Sequence, residues 1–127
     1  MHRLFLDANI LFSAAYRPDA ELAQFWKLKG AILCSSRYAL EEARINLAEN
    51  AQRHRLAKLA QHVHLFDAPP RELPAGLSLP EKDVAAMEAR ATHLITGDIR
   101  HFGLYFTKQI EGILVMSPAD YLKKQPR

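Results

Sequence analysis

The sequence predicts one α/β domain over residues 1–127, a three-layer α/β/α sandwich around a mainly parallel sheet of four to five strands. Short apolar runs typical of buried strands recur along the chain, and segments with helical spacing of apolar residues separate them. Strands that alternate with helices need crossover connections, which make neighbouring strands parallel. The 127 residues, of which 49 % are hydrophobic, suffice for one domain with a sizeable core.

The first half of the chain predicts three strands, at 4–6, 31–34 and 63–66. Helical spacing of Ile10, Leu11 and Ala14 indicates a helix after the first strand. Either Ser35 or Ser36 is expected to cap the helix that follows the second strand. A further helix is predicted from about residue 51 to residue 61.

An additional helix is predicted between the first two strands. Asp19 is expected to be its N-cap, and Gly30 is expected to end it. Its apolar stripe is predicted to enter the core and consists of Leu22, Phe25 and Trp26.

In the second half, a helix is predicted to open near Pro80. The fourth strand is expected at 93–96, ending at Gly97, and the fifth at 113–116. Ser117 and Pro118 then indicate the start of a closing helix.

Composition narrows the function classes without selecting one. The net charge of +3 permits a polyanionic partner such as RNA. Cys34 is the single cysteine, which excludes an internal disulfide and agrees with a cytoplasmic location. No apolar run approaches the ~18 residues of a membrane span, so a membrane partner is not expected. Gly-rich phosphate loops and Cys/His or Ser nucleophile motifs are missing from the sequence.

Two aspartates follow predicted strands and precede predicted helices. Asp7 comes directly after the first strand, and Asp98 comes after the fourth strand and one glycine. Because the carboxyl ends of parallel strands form one edge of the sheet, both side chains are expected at that edge. Each could instead be a simple helix N-cap.

Three more acids could reach the same edge, namely Glu41, Glu42 and Asp83. Gathered carboxylates repel one another unless a cation or a proton neutralises them. Mg²⁺ and Mn²⁺ prefer oxygen ligands and can activate water for phosphodiester hydrolysis. A solvated helix start is the alternative for each of the three acids.

Three segments, FLDANILFSA, SSRYALEEARINL and LPEKD…ATHLITGDIRHFG, occur in the order of the motif blocks of the PIN-domain family, and the chain resembles that family. The resemblance implies a three-layer sandwich and an Mg²⁺- or Mn²⁺-dependent ribonuclease acting on RNA. Many small members resemble toxins of type II toxin–antitoxin pairs. An antitoxin protein and a second copy of the chain are therefore candidate partners.

The resemblance also implies the site residues. The family's four acids fall on Asp7, Glu42, Asp83 and Asp98, which are the expected catalytic and metal-binding residues. Glu41 is the less favoured alternative to Glu42.

Asn9 and Thr96 match polar positions of the family that support the carboxylates. Arg100 and His101 follow Asp98 directly and are candidates for contact with a phosphate of the substrate. The basic segment 52–58 is a second candidate for RNA contact, with a solvated helix face as the alternative.

One departure from the family pattern keeps a second function open. Only six residues, VAAMEA, separate Asp83 from Arg90, about one helical turn (~3.6 residues) fewer than in the family. The alternative is a non-catalytic PIN-fold module that binds RNA or a protein partner. A phosphatase of the haloacid-dehalogenase type is disfavoured because Asn9 stands where that class has its second aspartate.

Overall fold

The computed structural model describes residues 2–67, 90–97, 109–110 and 112–123. These residues form a six-stranded sheet with the spatial order β3-β2-β1-β4-β6-β5. The strands are β1 (His2–Leu6), β2 (Ala31–Ser36), β3 (His64–Phe66), β4 (His93–Ile95), β5 (Gln109–Ile110) and β6 (Ile113–Met116). All neighbours from β3 to β6 are parallel, and β5 is antiparallel to β6. The predicted mainly parallel sheet is confirmed, and β5 is an addition that the sequence did not predict.

The helices of the described part of the chain are α1 (Ala8–Tyr16), α2 (Arg37–Asn46), α3 (Asn50–Ala60) and α4 (Pro118–Lys123), together with a 3₁₀ helix, η1 (Glu21–Lys27). The connections from β1 to β2 and from β2 to β3 step in the same direction across the sheet. Right-handed crossovers therefore place α1, η1, α2 and α3 on one face of the sheet. None of these helices is both long and apolar enough to cross a membrane.

Alternate residues of β1 divide the core between the two faces of the sheet, as strand geometry requires. Leu4 and Leu6 pack in the cluster that the helices complete. Phe5 points to the other face and packs with Cys34 and Val115. All five side chains are buried, so β1 is a central strand that is covered on both sides.

The cap predicted at Asp19 is wrong. The residue before η1 is Ala20, which makes no side-chain cap hydrogen bond, and Asp19 lies 3.8 Å from Arg17 in an exposed ion pair. Gly30 lies beyond the end of η1, in the left-handed region with φ +77°, directly before β2. It permits the turn into the strand and does not terminate the helix.

The predicted apolar stripe does pack on the core, but as a 3₁₀ helix. Leu22, Phe25 and Leu28 recur every three residues, which matches the three-residue turn of this helix. Phe25 is fully buried, and Leu22 and Trp26 are partly buried. The indole N–H of Trp26 donates to the carbonyl of Leu59 at 2.9 Å, which ties η1 to α3.

Two predicted helix starts are confirmed. Of the two candidate serines, Ser36 caps α2, because its Oγ accepts from the backbone N–H of Ala39 at 2.9 Å. Ser117 Oγ accepts from the N–H of Asp120 at 3.2 Å at the start of α4. The helix predicted near Pro80 lies outside the described residues.

The basic segment 52–58 uses its two arginines to hold the fold together. Arg53 Nε donates to the carbonyl of Leu47 at 2.9 Å. Arg55 donates to the carbonyls of Ala15 and Tyr16, at 3.0 and 3.2 Å, and so satisfies the C-terminal end of α1. Both guanidinium groups therefore bind main-chain carbonyls within the fold, a structural role that neither expectation for this segment included.

Candidate metal and active site

Asp7 lies between β1 and α1, at the carboxyl edge of the sheet. Its N–H donates to the carbonyl of Ile95 on β4 at 3.1 Å, and its residue surface is 3 % exposed. Its Oδ1 accepts from the N–H of Ala8 at 2.8 Å, so Asp7 is also the N-cap of α1. The N-cap interpretation is therefore correct for one carboxylate oxygen.

The second oxygen of Asp7 receives two side-chain donors. Thr96 Oγ1 donates to Oδ2 at 2.6 Å, and Asn9 Nδ2 donates to it at 3.0 Å. Asn9 Oδ1 in turn accepts from the N–H of Gly97 at 3.0 Å. These bonds join the end of β1 to the end of β4 and orient the Asp7 carboxylate.

A cleft of about 460 Å³ opens beside this network. It is lined by Asp7, Ala8, Asn9 and Phe12 around the start of α1, and by Glu42, Ala43 and Asn46 from α2. The structure thus brings two of the four predicted acids, Asp7 and Glu42, to one cleft.

Glu41 has a different environment from its neighbour. Its carboxylate accepts from Arg44 Nε at 2.9 Å and also contacts Arg44 Nη2 on the exposed side of α2. This hydrogen bond, together with the positive charge of Arg44, lowers the pKa of Glu41. Of the two candidates for the middle acid, only Glu42 lines the cleft.

Phe12 and Asn46 line the cleft although neither was a candidate from the sequence. Phe12 follows Asn9 by three residues, and Asn46 follows Glu42 by four, so helical spacing places each pair on one face. Asn46 Nδ2 donates to the carbonyl of Glu42 at 2.9 Å. The spacing was visible in the sequence, but phenylalanine and asparagine carry too little chemical signal alone.

The other predicted site residues, Asp83, Asp98, Arg100 and His101, lie outside the described residues. Within the described ranges, no group of three or more His, Cys, Asp or Glu side chains could hold a metal ion. The oxygen-bearing side chains that line the cleft are the carboxylates of Asp7 and Glu42 and the carboxamides of Asn9 and Asn46. Mg²⁺ and Mn²⁺ prefer oxygen ligands of this kind, whereas zinc sites typically use cysteine thiolates and histidine imidazoles.

No protein-family model matches the chain, and no curated protein matches it in sequence. Among solved structures, the chain is similar to the crystal structure of VapBC2 from Rickettsia felis bound to a DNA fragment from their promoter. The TM-score is 0.61 with 16 % sequence identity, and the match covers 91 % of this chain and 98 % of that chain. Together with the parallel sheet and its flanking helices, this similarity confirms the predicted PIN-like fold class.

Proposed function

We propose that this chain is a metal-dependent endoribonuclease that hydrolyses RNA phosphodiester bonds with Mg²⁺ or Mn²⁺. The observation that carries the proposal is the meeting of Asp7 and Glu42 in one cleft, at the carboxyl edge of a PIN-like parallel sheet. Asp83 and Asp98 complete the proposed acid set. In the sequence Asp98 directly follows Gly97, and the N–H of Gly97 donates to Asn9 Oδ1.

The chemistry follows from the charges of the site. Two or more carboxylates around one cleft repel one another, and a divalent cation offsets that repulsion. When bound, the cation supplies a water of lowered pKa and stabilises the charge that develops on the phosphoryl oxygens. Thr96 and Asn9 hold the Asp7 carboxylate in one orientation, while Arg100 and His101 are proposed to contact a phosphate of the RNA.

The similarity to VapBC2 supports a narrower proposal about biological role. In this proposal the chain is the toxin of a toxin–antitoxin pair, its substrate is RNA, and an antitoxin protein restrains it. A second copy of the chain is the other proposed partner.

Two adjacent glutamates provide the sharpest test of the proposed activity. Glu42→Gln removes the charge that lines the cleft, and we expect it to lower Mn²⁺-dependent RNA cleavage at least ~10-fold through weaker metal binding. Glu41→Gln also removes one negative charge, but from the neighbouring residue, which pairs with Arg44. We expect its cleavage to be close to wild type. The measurement is the initial cleavage rate of varied RNAs with Mn²⁺, with Asp98→Asn as a further variant.

Three outcomes would contradict the proposal. One is the absence of cleavage by the wild-type chain on all RNAs, and another is equal cleavage by wild type and Asp98→Asn. Equal losses in Glu41→Gln and Glu42→Gln would show that the cleft does not distinguish the two acids.

Thr96→Val tests the support of Asp7 without changing any charge. Valine keeps the shape of the buried threonine but cannot donate the 2.6 Å hydrogen bond to Asp7 Oδ2. We expect Mn²⁺ affinity to fall ~10-fold or more, as is usual for groups that orient metal ligands. Calorimetric titration with Mn²⁺ measures it, and an unchanged affinity would remove Thr96 from the proposed site.

The short segment between Asp83 and Arg90 favours one alternative function, a non-catalytic PIN-fold module that binds RNA or a protein. The same titration separates the two functions. An intact acid set binds Mn²⁺, whereas a site that has lost Asp83 does so weakly or not at all. RNA binding without Mn²⁺ binding or cleavage would establish the alternative.

A further inference from the structure

The peptide unit between Leu6 and Asp7 is held at both of its polar groups. The carbonyl of Leu6 accepts from Ser35 Oγ on β2 at 2.7 Å. The N–H of Asp7 donates to the carbonyl of Ile95 on β4 at 3.1 Å. Because a peptide unit is planar, these two bonds on opposite sides fix its rotation about the chain.

The position of Ser35 explains why a side chain makes this bond. The register between β1 and β2 ends at the pair Phe5 and Cys34, whereas the register between β1 and β4 continues to Leu6 and Ile95. The Ser35 side chain therefore makes a hydrogen bond between β2 and β1 one residue beyond the last paired residues, to the carbonyl of Leu6. Ser35 and Leu6 are both fully buried, so water does not replace this bond in the native chain.

We infer that Ser35 is a positioning residue for the metal site, acting through the main chain of Asp7; this inference rests on the proposed function. Without the Ser35 hydroxyl, the buried carbonyl of Leu6 loses this hydrogen-bond donor. Because an unsatisfied buried carbonyl is costly, rotation of the peptide unit toward another donor then becomes favourable. Any such rotation moves the Asp7 N–H away from Ile95 because the two groups share one plane. The Asp7 carboxylate then loses its alignment with Thr96 and Asn9.

Ser35→Ala and the nearly isosteric Ser35→Cys test the inference, because alanine removes the donor and a thiol is a weak one. We expect both to weaken Mn²⁺ binding up to ~10-fold, the lower end of the effect of groups that orient ligands. Ser35→Thr keeps the hydroxyl and should retain wild-type affinity. We also expect faster hydrogen exchange of the Asp7 amide in Ser35→Ala and Ser35→Cys.

Thr92→Val is the matched control at the opposite end of the same strands. Thr92 Oγ1 accepts from the N–H of Arg3 at 2.9 Å and donates to its carbonyl at 3.1 Å. The valine substitution removes a hydroxyl that joins Arg3 of β1 to the residue before β4. Arg3 lies four residues before Asp7, toward the opposite end of β1. We expect reduced stability to urea with unchanged Mn²⁺ affinity and unchanged exchange at Asp7.

The outcomes separate the two proposals. If the wild-type chain binds no Mn²⁺, the proposed function fails and the role of Ser35 toward a metal falls with it. If the wild type binds Mn²⁺ and the two Ser35 variants without the hydroxyl bind it equally well, only the positioning role is overturned. Equal weakening by Thr92→Val, or unchanged Asp7 exchange in the Ser35 variants, also overturns it.

Discussion

Replacement of Asp7 by asparagine is expected to lower Mn²⁺-dependent RNA cleavage by at least ~100-fold. A metal that stabilises transition-state charge contributes several kcal/mol, and each ~1.4 kcal/mol corresponds to tenfold in rate. Asparagine offers the cation one neutral oxygen in place of a charged carboxylate. The measurement is the cleavage rate over a range of Mn²⁺ concentrations, because a weakened site requires more metal.

The fold should survive this change. The remaining oxygen of asparagine can still accept from the N–H of Ala8, so the cap of α1 is retained. The new NH₂ group, however, faces the Asn9 amide that donates to Asp7 Oδ2, and two donors repel. We therefore expect a modest loss of stability together with a large loss of activity.

Asp19→Asn is the matched control, since Asp19 is an exposed aspartate paired only loosely with Arg17. It should retain wild-type cleavage. Cleavage by Asp7→Asn within tenfold of wild type at saturating Mn²⁺ would remove Asp7 from the centre of the proposed site. Unfolding of Asp7→Asn in the assay buffer is detected separately by its urea transition.

The sheet and the place of Asp7 were predictable because both depend on chain order. Apolar strands separated by helices give parallel neighbours, and the residue after β1 must then lie at the carboxyl edge. Strand β5 was not predictable in this way. Gln109–Ile110 is two residues long, too short for any periodicity, and it pairs with β6 across a turn at Gly112, where φ is +82°.

The 3₁₀ helix η1 illustrates a second limit. Leu22, Phe25 and Trp26 fit an α-helical stripe, of which only Leu22 and Phe25 also fit a three-residue period, and Asp19 is a good N-cap by residue type alone. Leu28 extends the three-residue period and was the distinguishing signal. A run of this length, seven residues, is uncommon for a 3₁₀ helix, so the α-helix was the natural expectation.

Two further features depend on tertiary contacts and were not predictable from the sequence: the choice between Glu41 and Glu42, and the partners of the arginines in segment 52–58. Glu41 and Glu42 differ by about 100° around α2, and which of them faces α1 depends on how the two helices pack. The arginines of segment 52–58 bind carbonyls of residues 15, 16 and 47. No local pattern encodes such partners, so the segment resembled a free basic face.

Phe25→Ala is expected to cost ~3–5 kcal/mol of unfolding free energy, the usual range for removing a buried phenylalanine. Phe25 is 1 % exposed, and its ring stacks on Tyr121 of α4 with centroids 5.9 Å apart. Tyr121 in turn bonds His2 Nδ1 through its hydroxyl at 2.8 Å. The cavity should therefore weaken the attachment of both η1 and α4 to β1.

Equilibrium unfolding in urea, followed by the fluorescence of Trp26 and by circular dichroism, measures this loss. Leu22→Ala is the control in the same helix, because Leu22 is only partly buried and leaves a smaller cavity. Phe25→Leu keeps most of the apolar volume and should lose much less stability than Phe25→Ala. If Phe25→Ala and Leu22→Ala lose equal stability, η1 does not anchor α4 through Phe25. The contact between Phe25 and Tyr121 would then add little to the unfolding free energy.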